Sequence, residues 1–94
     1  MLFCLYNLDK PDSQSIRQAH RPAHIAYLES QGERLVAGGP LLSDDGQAMI
    51  GSLLVLECAD RAEAEAFAAK DPYAVAGLFE SMTIRPWRRV FPQP

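Results

Sequence analysis

Cysteine, histidine and excess positive charge are all scarce in this chain. Cys4 and Cys58 are its only thiols, far apart and each inside an apolar run. No CxxC spacing occurs, which argues against a zinc knuckle, and both thiols read as buried and free. Lys and Arg number 9 against 12 Asp and Glu, for a formal net charge of −3 and a pI of about 5.2. Nucleic-acid binding without sequence preference needs a basic surface, so this balance argues against it. The pair Arg88-Arg89 beside Trp87 offers cations and a stacking ring, but the acidic balance outweighs it. No apolar run approaches the roughly 20 residues of a membrane span. Met1 to Tyr6 is apolar but has no basic leader and no small-residue cleavage site, so it does not read as a signal peptide. The expected location is the cytoplasm.

What is present suits one ordinary globular domain. The 94 residues are 48% hydrophobic and 22% charged. We read residues 1–94 as a single unit, with a core of about 1–91 and a short proline-rich tail at 92–94. A chain this short buries a modest fraction of its surface and is often helped by self-association.

Leu2 to Leu8 reads as a strand, almost continuously apolar and therefore buried on both faces. Asp9-Lys10-Pro11-Asp12 is a turn, and Asp12 or Ser13 caps a helix. Pro22 predicts a break near His20-Arg21, followed by a longer helix whose Ile25 and Leu28 face the core. Gly32 is the expected stop. Arg34 to Ala37 is a second strand, closed by Gly38-Gly39-Pro40, where paired glycines imply unusual dihedrals or a close backbone approach. Ser43-Asp44-Asp45-Gly46 joins it in a hairpin to a third strand, Ile50 to Cys58, whose Leu53-Leu54-Val55-Leu56 again does not alternate. Asp60-Arg61-Ala62-Glu63 has the form of a capping box before an alanine-rich helix anchored by Phe67. Asp71-Pro72 restarts a short helix that Gly77 ends. Thr83 to Phe91 is the last strand, and Pro86 places it at an edge or a bulge.

The order strand, helix, strand, strand, helix, strand is the split βαβ, ferredoxin-like pattern, an α+β fold with both helices on one face of an antiparallel sheet. Two helices cover one face only, while the first and third strands look apolar on both. At roughly 25 cal/mol per Å² of apolar surface, a bare face is a large liability. A second copy packed sheet to sheet is the simplest remedy, and a homodimer is expected.

The only two histidines, His20 and His24, bracket Arg21-Pro22-Ala23. Imidazole is the side chain whose ordinary pKa lies near neutrality. HxxxH can place two metal ligands on one helix face, but the Glu of HExxH is absent and Pro22 intervenes, so no metal site is expected. His24 reads as a general acid/base or as a structural hydrogen-bonder, and His20 as a surface or capping residue. Asp71 reads as the N-cap before Pro72 and, in the same pose, as a carboxylate able to orient an imidazole. Arg21 can clamp an anionic substrate or form a surface ion pair. Ser52, after Gly51, can hydrogen-bond a ligand; without a GxSxG elbow it is a poor nucleophile. Tyr73 lines a pocket or joins the core. Gly38-Gly39 lies in neither GxGxxG nor GKS/T, so it is no phosphate loop, and no cofactor is expected.

Arg21-Pro22-Ala23-His24 with Tyr27-Leu28, then Gly38-Gly39-Pro40, Gly51-Ser52, Asp71-Pro72-Tyr73 and Gly77-Leu78-Phe79, resembles the YciI-like (YCII-domain) family over Met1 to Phe91. The resemblance implies a ferredoxin-like fold that dimerises through its sheets, as in the dimeric α/β barrel superfamily. It implies an active site of one histidine and one aspartate, carried here by His24 and Asp71, and leaves His20 outside. Most members have no assigned reaction, but one branch is a dehydrochlorinase acting on a chlorinated hydroxyhydroquinone. Related barrels include muconolactone isomerases and small monooxygenases. The expectation is a small-molecule enzyme of lyase or isomerase type, with His24 and Asp71 catalytic and Arg21, Gly39, Ser52 and Tyr73 binding substrate. The rivals are a non-catalytic ligand-binding or assembly module and a cofactor-free monooxygenase.

Overall fold

In the computed structural model, which describes all 94 residues, Leu2–Asp9 forms strand β1 and Gln14–Glu29 helix α1. A single 3-10 turn at Gly32–Arg34 leads into β2, Leu35–Leu42, which turns back into β3, Met49–Glu57. Helix α2, Arg61–Lys70, is followed directly by the short α3, Pro72–Val75, and by β4, Phe79–Trp87. The four strands form one antiparallel sheet in the order β2-β3-β1-β4. That is the ferredoxin-like order.

The core lies between this sheet and the helices. Phe3 and Leu5 of β1, Leu54 and Leu56 of β3 and Ile84 of β4 point one way and are buried. They meet Ala64, Phe67 and Ala68 of α2. Each fully buried Leu or Phe contributes roughly 1.5–3 kcal/mol. The run Leu53-Leu54-Val55-Leu56 does not alternate in sequence, but it does in space: Leu54 and Leu56 are buried, whereas Leu53 is 39% exposed. The same holds for β1, where Tyr6 is 44% exposed.

Several sequence expectations need correction. Pro22 does not break α1, which runs unbroken through it. Gln18, whose carbonyl loses its helical donor at Pro22, lies with Pro22 on the exposed side, where water can replace the bond. An interior proline costs about 3 kcal/mol, and tertiary contacts on both sides of it hold the helix down. Upstream, Arg17 is tied to Asp9; downstream, the Tyr27 ring stacks on Phe67 and its hydroxyl donates to the Phe67 carbonyl at 2.9 Å. Ile25 does not face the core but is partly exposed; Leu28 and Leu35 pack against it half-buried.

Gly38-Gly39-Pro40 does not close β2. The strand continues to Leu42 after an irregularity between Leu35 and Ala37. Neither glycine has positive φ. A β-carbon at Gly38 would sit 2.9 Å from Leu54 Cδ2, whereas one at Gly39 would meet nothing within 4 Å. Pro40 is tolerated because β2 is an edge strand. The last strand begins at Phe79 and ends at Trp87, earlier at both ends than expected, and it lies at the other edge as Pro86 implied. Cys58 is buried, Cys4 only partly so, and both are free.

The turns follow their chemistry. Asp60 Oδ1 accepts from the Glu63 N–H at 2.9 Å and caps α2. Ser13 stands at the cap position before α1, but its hydroxyl donates to the Lys10 carbonyl and makes no capping bond. Gly77, with φ of +76°, lets the chain leave α3 and enter β4.

Candidate active site

The site grows from one stripe of α1. Arg17, Arg21, His24 and Leu28 follow at intervals of four, three and four residues, which stacks them along one helical face. Opposite stand Gly38, Gly39 and Pro40 of β2 and Ser52 and Leu54 of β3. Between them lies a cavity of about 230 Å³, closed at one side by Tyr73. A dry cavity of roughly 150 Å³ is enough to take up benzene, so this one has room for a substituted six-membered ring.

Asp71 is brought to His24 by the helix restart. Pro72 fixes the first turn of α3, and Asp71 Oδ1 accepts from the Tyr73 N–H at 2.9 Å. The same oxygen lies 2.8 Å from His24 Nδ1. Capping and orienting are therefore done by one atom. The imidazole also stacks on the Tyr73 ring, with centroids 3.9 Å apart and planes 14° from parallel. A carboxylate at the ring edge and a phenol on its face leave the imidazole little rotational freedom. A carboxylate only accepts, so Nδ1–H donates to Asp71, and Nε2 is the ring nitrogen with no hydrogen-bond partner in the chain.

Of the residues read from the sequence, Arg21, His24, Gly39, Ser52 and Tyr73 all line this cavity, and Asp71 stands behind His24. His20 is exposed and takes no part. No three His, Cys, Asp or Glu side chains are arranged to hold a metal ion.

Three nearby residues escaped the sequence reading: Arg17, Asp9 and Asn7. Arg17 lines the cavity and is buried. It donates to both Asp9 oxygens, at 2.8 and 3.0 Å, and to the Gly51 carbonyl at 2.9 Å. Its guanidinium carbon lies 4.8 Å from the Tyr73 ring centre. Burial lowers the Arg17 pKa, but the bond and charge of Asp9 more than compensate, and the net shift is upward. Burial acts the other way on the Tyr73 phenol and pushes it up, against the opposing pull of Arg17 and Arg21. With Arg17 neutralised by Asp9, Arg21 is the cavity's cation without an ion-pair partner. The Asn7 amide donates to Ser52 Oγ at 3.2 Å. A seven-residue offset from His24 marks Arg17 as sharing its helix face. For Asp9 and Asn7 the usable signal is a polar residue where a buried apolar strand ends.

The family model of the YCII-related domain matches residues 1–88. Protein YciI of Escherichia coli is 37% identical over 98 residues, spanning 97% of this chain and all of that protein. The structure of 5-chloro-2-hydroxyhydroquinone dehydrochlorinase from Burkholderia phenoliruptrix, in complex with 2,5-dihydroxybenzoquinone, is 36% identical. It covers 94% of each chain with a TM-score of 0.87. SnoaB, a cofactor-independent oxygenase from Streptomyces nogalater, shares the fold at 15% identity and a TM-score of 0.58, covering 97% of this chain and 95% of its own. A domain model matched almost end to end, and a relative above one-third identity over its full length, identify this chain as a member of the YCII family.

Proposed function

We propose that this protein is a lyase of dehydrochlorinase type, acting on a hydroxylated, chlorinated six-membered ring. The observation that carries the reading is the 2.8 Å contact of His24 Nδ1 with Asp71, which leaves Nε2 to serve the cavity. In this reading Nε2 takes a proton from a ring hydroxyl and returns it to the carbon bearing chlorine. A second hydroxyl proton and chloride then leave, the oxygen's electron pair becoming a carbonyl. The net loss is HCl, and no oxidant or reductant is needed. Asp71 stabilises the imidazolium while it exists. Arg21 and Ser52 face the oxygen on which charge develops, and Tyr73 and Gly39 shape the walls. Support comes from the dehydrochlorinase at 36% identity and from a cavity of one-ring size.

A positioned acid/base contributes typically about 10²–10⁴-fold. His24→Ala should lower kcat on 5-chloro-2-hydroxyhydroquinone by that factor, and Asp71→Asn by less. Chloride release measured against unchanged thermal stability tests this. Wild-type turnover in His24→Ala removes the mechanism and leaves a binding module.

We further propose that the working form is a homodimer in which the uncovered sheet face meets its own copy. Tyr6 and Leu53 lie exposed and paired on that face, with the pair Cys4 and Val55 half-covered beside them. Light scattering that finds a monomer at micromolar concentration overturns this.

A further inference from the structure

Asn7 is buried to 1% exposure, one of the few polar side chains on the covered face. It follows Phe3 and Leu5 in the same inward row of β1, where a third apolar residue would extend the core. Its Nδ2 donates to Ser52 Oγ at 3.2 Å, across the β1–β3 pairing that sets Asn7 opposite Ser52. Its Oδ1 has no partner at all. An unpartnered buried acceptor is destabilising, a cost that an apolar side chain of the same size would avoid. The fold therefore carries a local penalty directly behind a cavity-lining serine.

The bond has a consequence for that serine. A hydroxyl has one proton to donate and lone pairs to accept with. Asn7 occupies a lone pair, and no protein acceptor takes the Ser52 proton. Asn7 Oδ1 is not bonded to it either. The proton is left for whatever occupies the cavity that Ser52 lines.

We propose that Asn7 is a positioning residue that sets Ser52 as a hydrogen-bond donor, so that the cavity selects a ring bearing an acceptor oxygen at that wall. This rests on the cavity being the ligand site proposed above. Ser52 and the unpaired Arg21 together then favour a carbonyl or oxyanion over a hydroxyl that must itself donate. The amide is spent on direction, not on stability.

The probe is 2,5-dihydroxybenzoquinone, titrated calorimetrically into the wild-type protein, Asn7→Leu, Asn7→Asp, Ser52→Ala and the double variant Asn7→Leu/Ser52→Ala. One neutral hydrogen bond is worth about 0.5–1.5 kcal/mol, so Asn7→Leu should bind roughly 3- to 10-fold more weakly. It should melt no lower than wild type. Asp at position 7 can only accept when ionised, takes the Ser52 proton for itself, and should weaken binding more than Leu does. In the Ser52→Ala background the Asn7→Leu effect should vanish, which a merely structural role would not predict. Wild-type affinity in Asn7→Leu or in Asn7→Asp, or an equal loss with and without Ser52, overturns the proposal. Should Asn7→Leu fold poorly, Asn7→Asp with the Ser52→Ala control decides alone. If wild type does not bind the probe, this inference and the ligand site fall together. If wild type binds and position 7 is silent, only this inference falls.

Discussion

The two faces of the sheet are made by the same strands and by residues of similar kind, yet they meet opposite conditions. On the covered face Phe3, Leu5, Leu54 and Leu56 are sealed by α2, and beside them the chain places its polar exceptions, Asn7, Arg17, Ser52, His24 and Asp71, all buried. On the other face Tyr6 and Leu53 stand exposed, and no buried polar side chain lies between strands β1 and β3. Chemistry sits where helices and sheet can enclose it, because a hydrogen bond or charge gains weight only when water is kept off. The open face is apolar where Tyr6, Leu53, Cys4 and Val55 lie together, and it carries charge toward its margins at Glu57 and Arg85. One side of the sheet encloses polar groups around a cavity, and the other leaves apolar side chains open to solvent.

The largest contrast should come from truncating one leucine on each face. Leu56 is fully buried, so Leu56→Ala should cost about 2–5 kcal/mol in denaturant unfolding. Leu53→Ala should change the stability of a single chain by no more than about 0.5 kcal/mol, while Leu53→Asp, if a second copy covers that face, should shift the light-scattering mass toward the monomer. Equal unfolding costs at both positions, measured on monomeric protein, would break the comparison.

Two glycines sharpen it at a smaller scale. A β-carbon at Gly51 would lie 2.2 Å from the Asn7 carbonyl oxygen, so Gly51→Ala must push β1 and β3 apart. A cost of about 1–3 kcal/mol is expected from thermal unfolding. Gly39 pairs with Leu53, and a β-carbon there meets nothing within one chain. Gly39→Ala should be neutral for the fold and, if a second copy covers that face, should still weaken association measured by analytical ultracentrifugation. Gly51→Ala unfolding like wild type would show that the strand spacing is not set there.

The smallest effect is a pH dependence. Burial raises the pKa of both Tyr27 and Tyr73, with the Asp71 charge adding to the rise at each. As pH climbs past the ordinary phenol value of about 10, the unfolded chain releases protons that the folded chain still holds. Stability should therefore fall from that point upward, and the absorbance rise of phenolate should lag for these two rings. A fall that begins well below pH 9 would point to other groups.

How much of this is legible in the sequence differs by element. The strand and helix order is legible because turn clusters and capping residues are local: Asp60 before Glu63, Asp71 before Pro72, Gly46 in the hairpin. The continuous α1 is not, since Pro22 argues locally for a break. That local tendency is overridden by contacts to Asp9, Asp71 and Phe67, none of them adjacent in sequence. The ends of β2 and β4 escape for a related reason. Pairing to β3 and β1 continues through Gly38, Gly39 and Pro40 and begins at Phe79, although the residues there do not favour strands by themselves. In the cavity, His24, Arg21, Ser52 and Tyr73 are legible as reactive or polar types in a recognisable pattern. Arg17, Asp9 and Asn7 are not, because each looks like an ordinary surface residue until its partner is known.

By itself the chain determined its periodicities, its caps, its charge balance and the apolar excess that two helices cannot cover. These depend on residues within a turn or two of one another. Only the tertiary structure decided that Asp71 and His24 share a hydrogen bond across 47 residues, that Ser52 answers to Asn7, and which side of an unalternating strand faces the helices. Those outcomes depend on register and packing, where one shared atom or one sheet face must satisfy several distant groups at once.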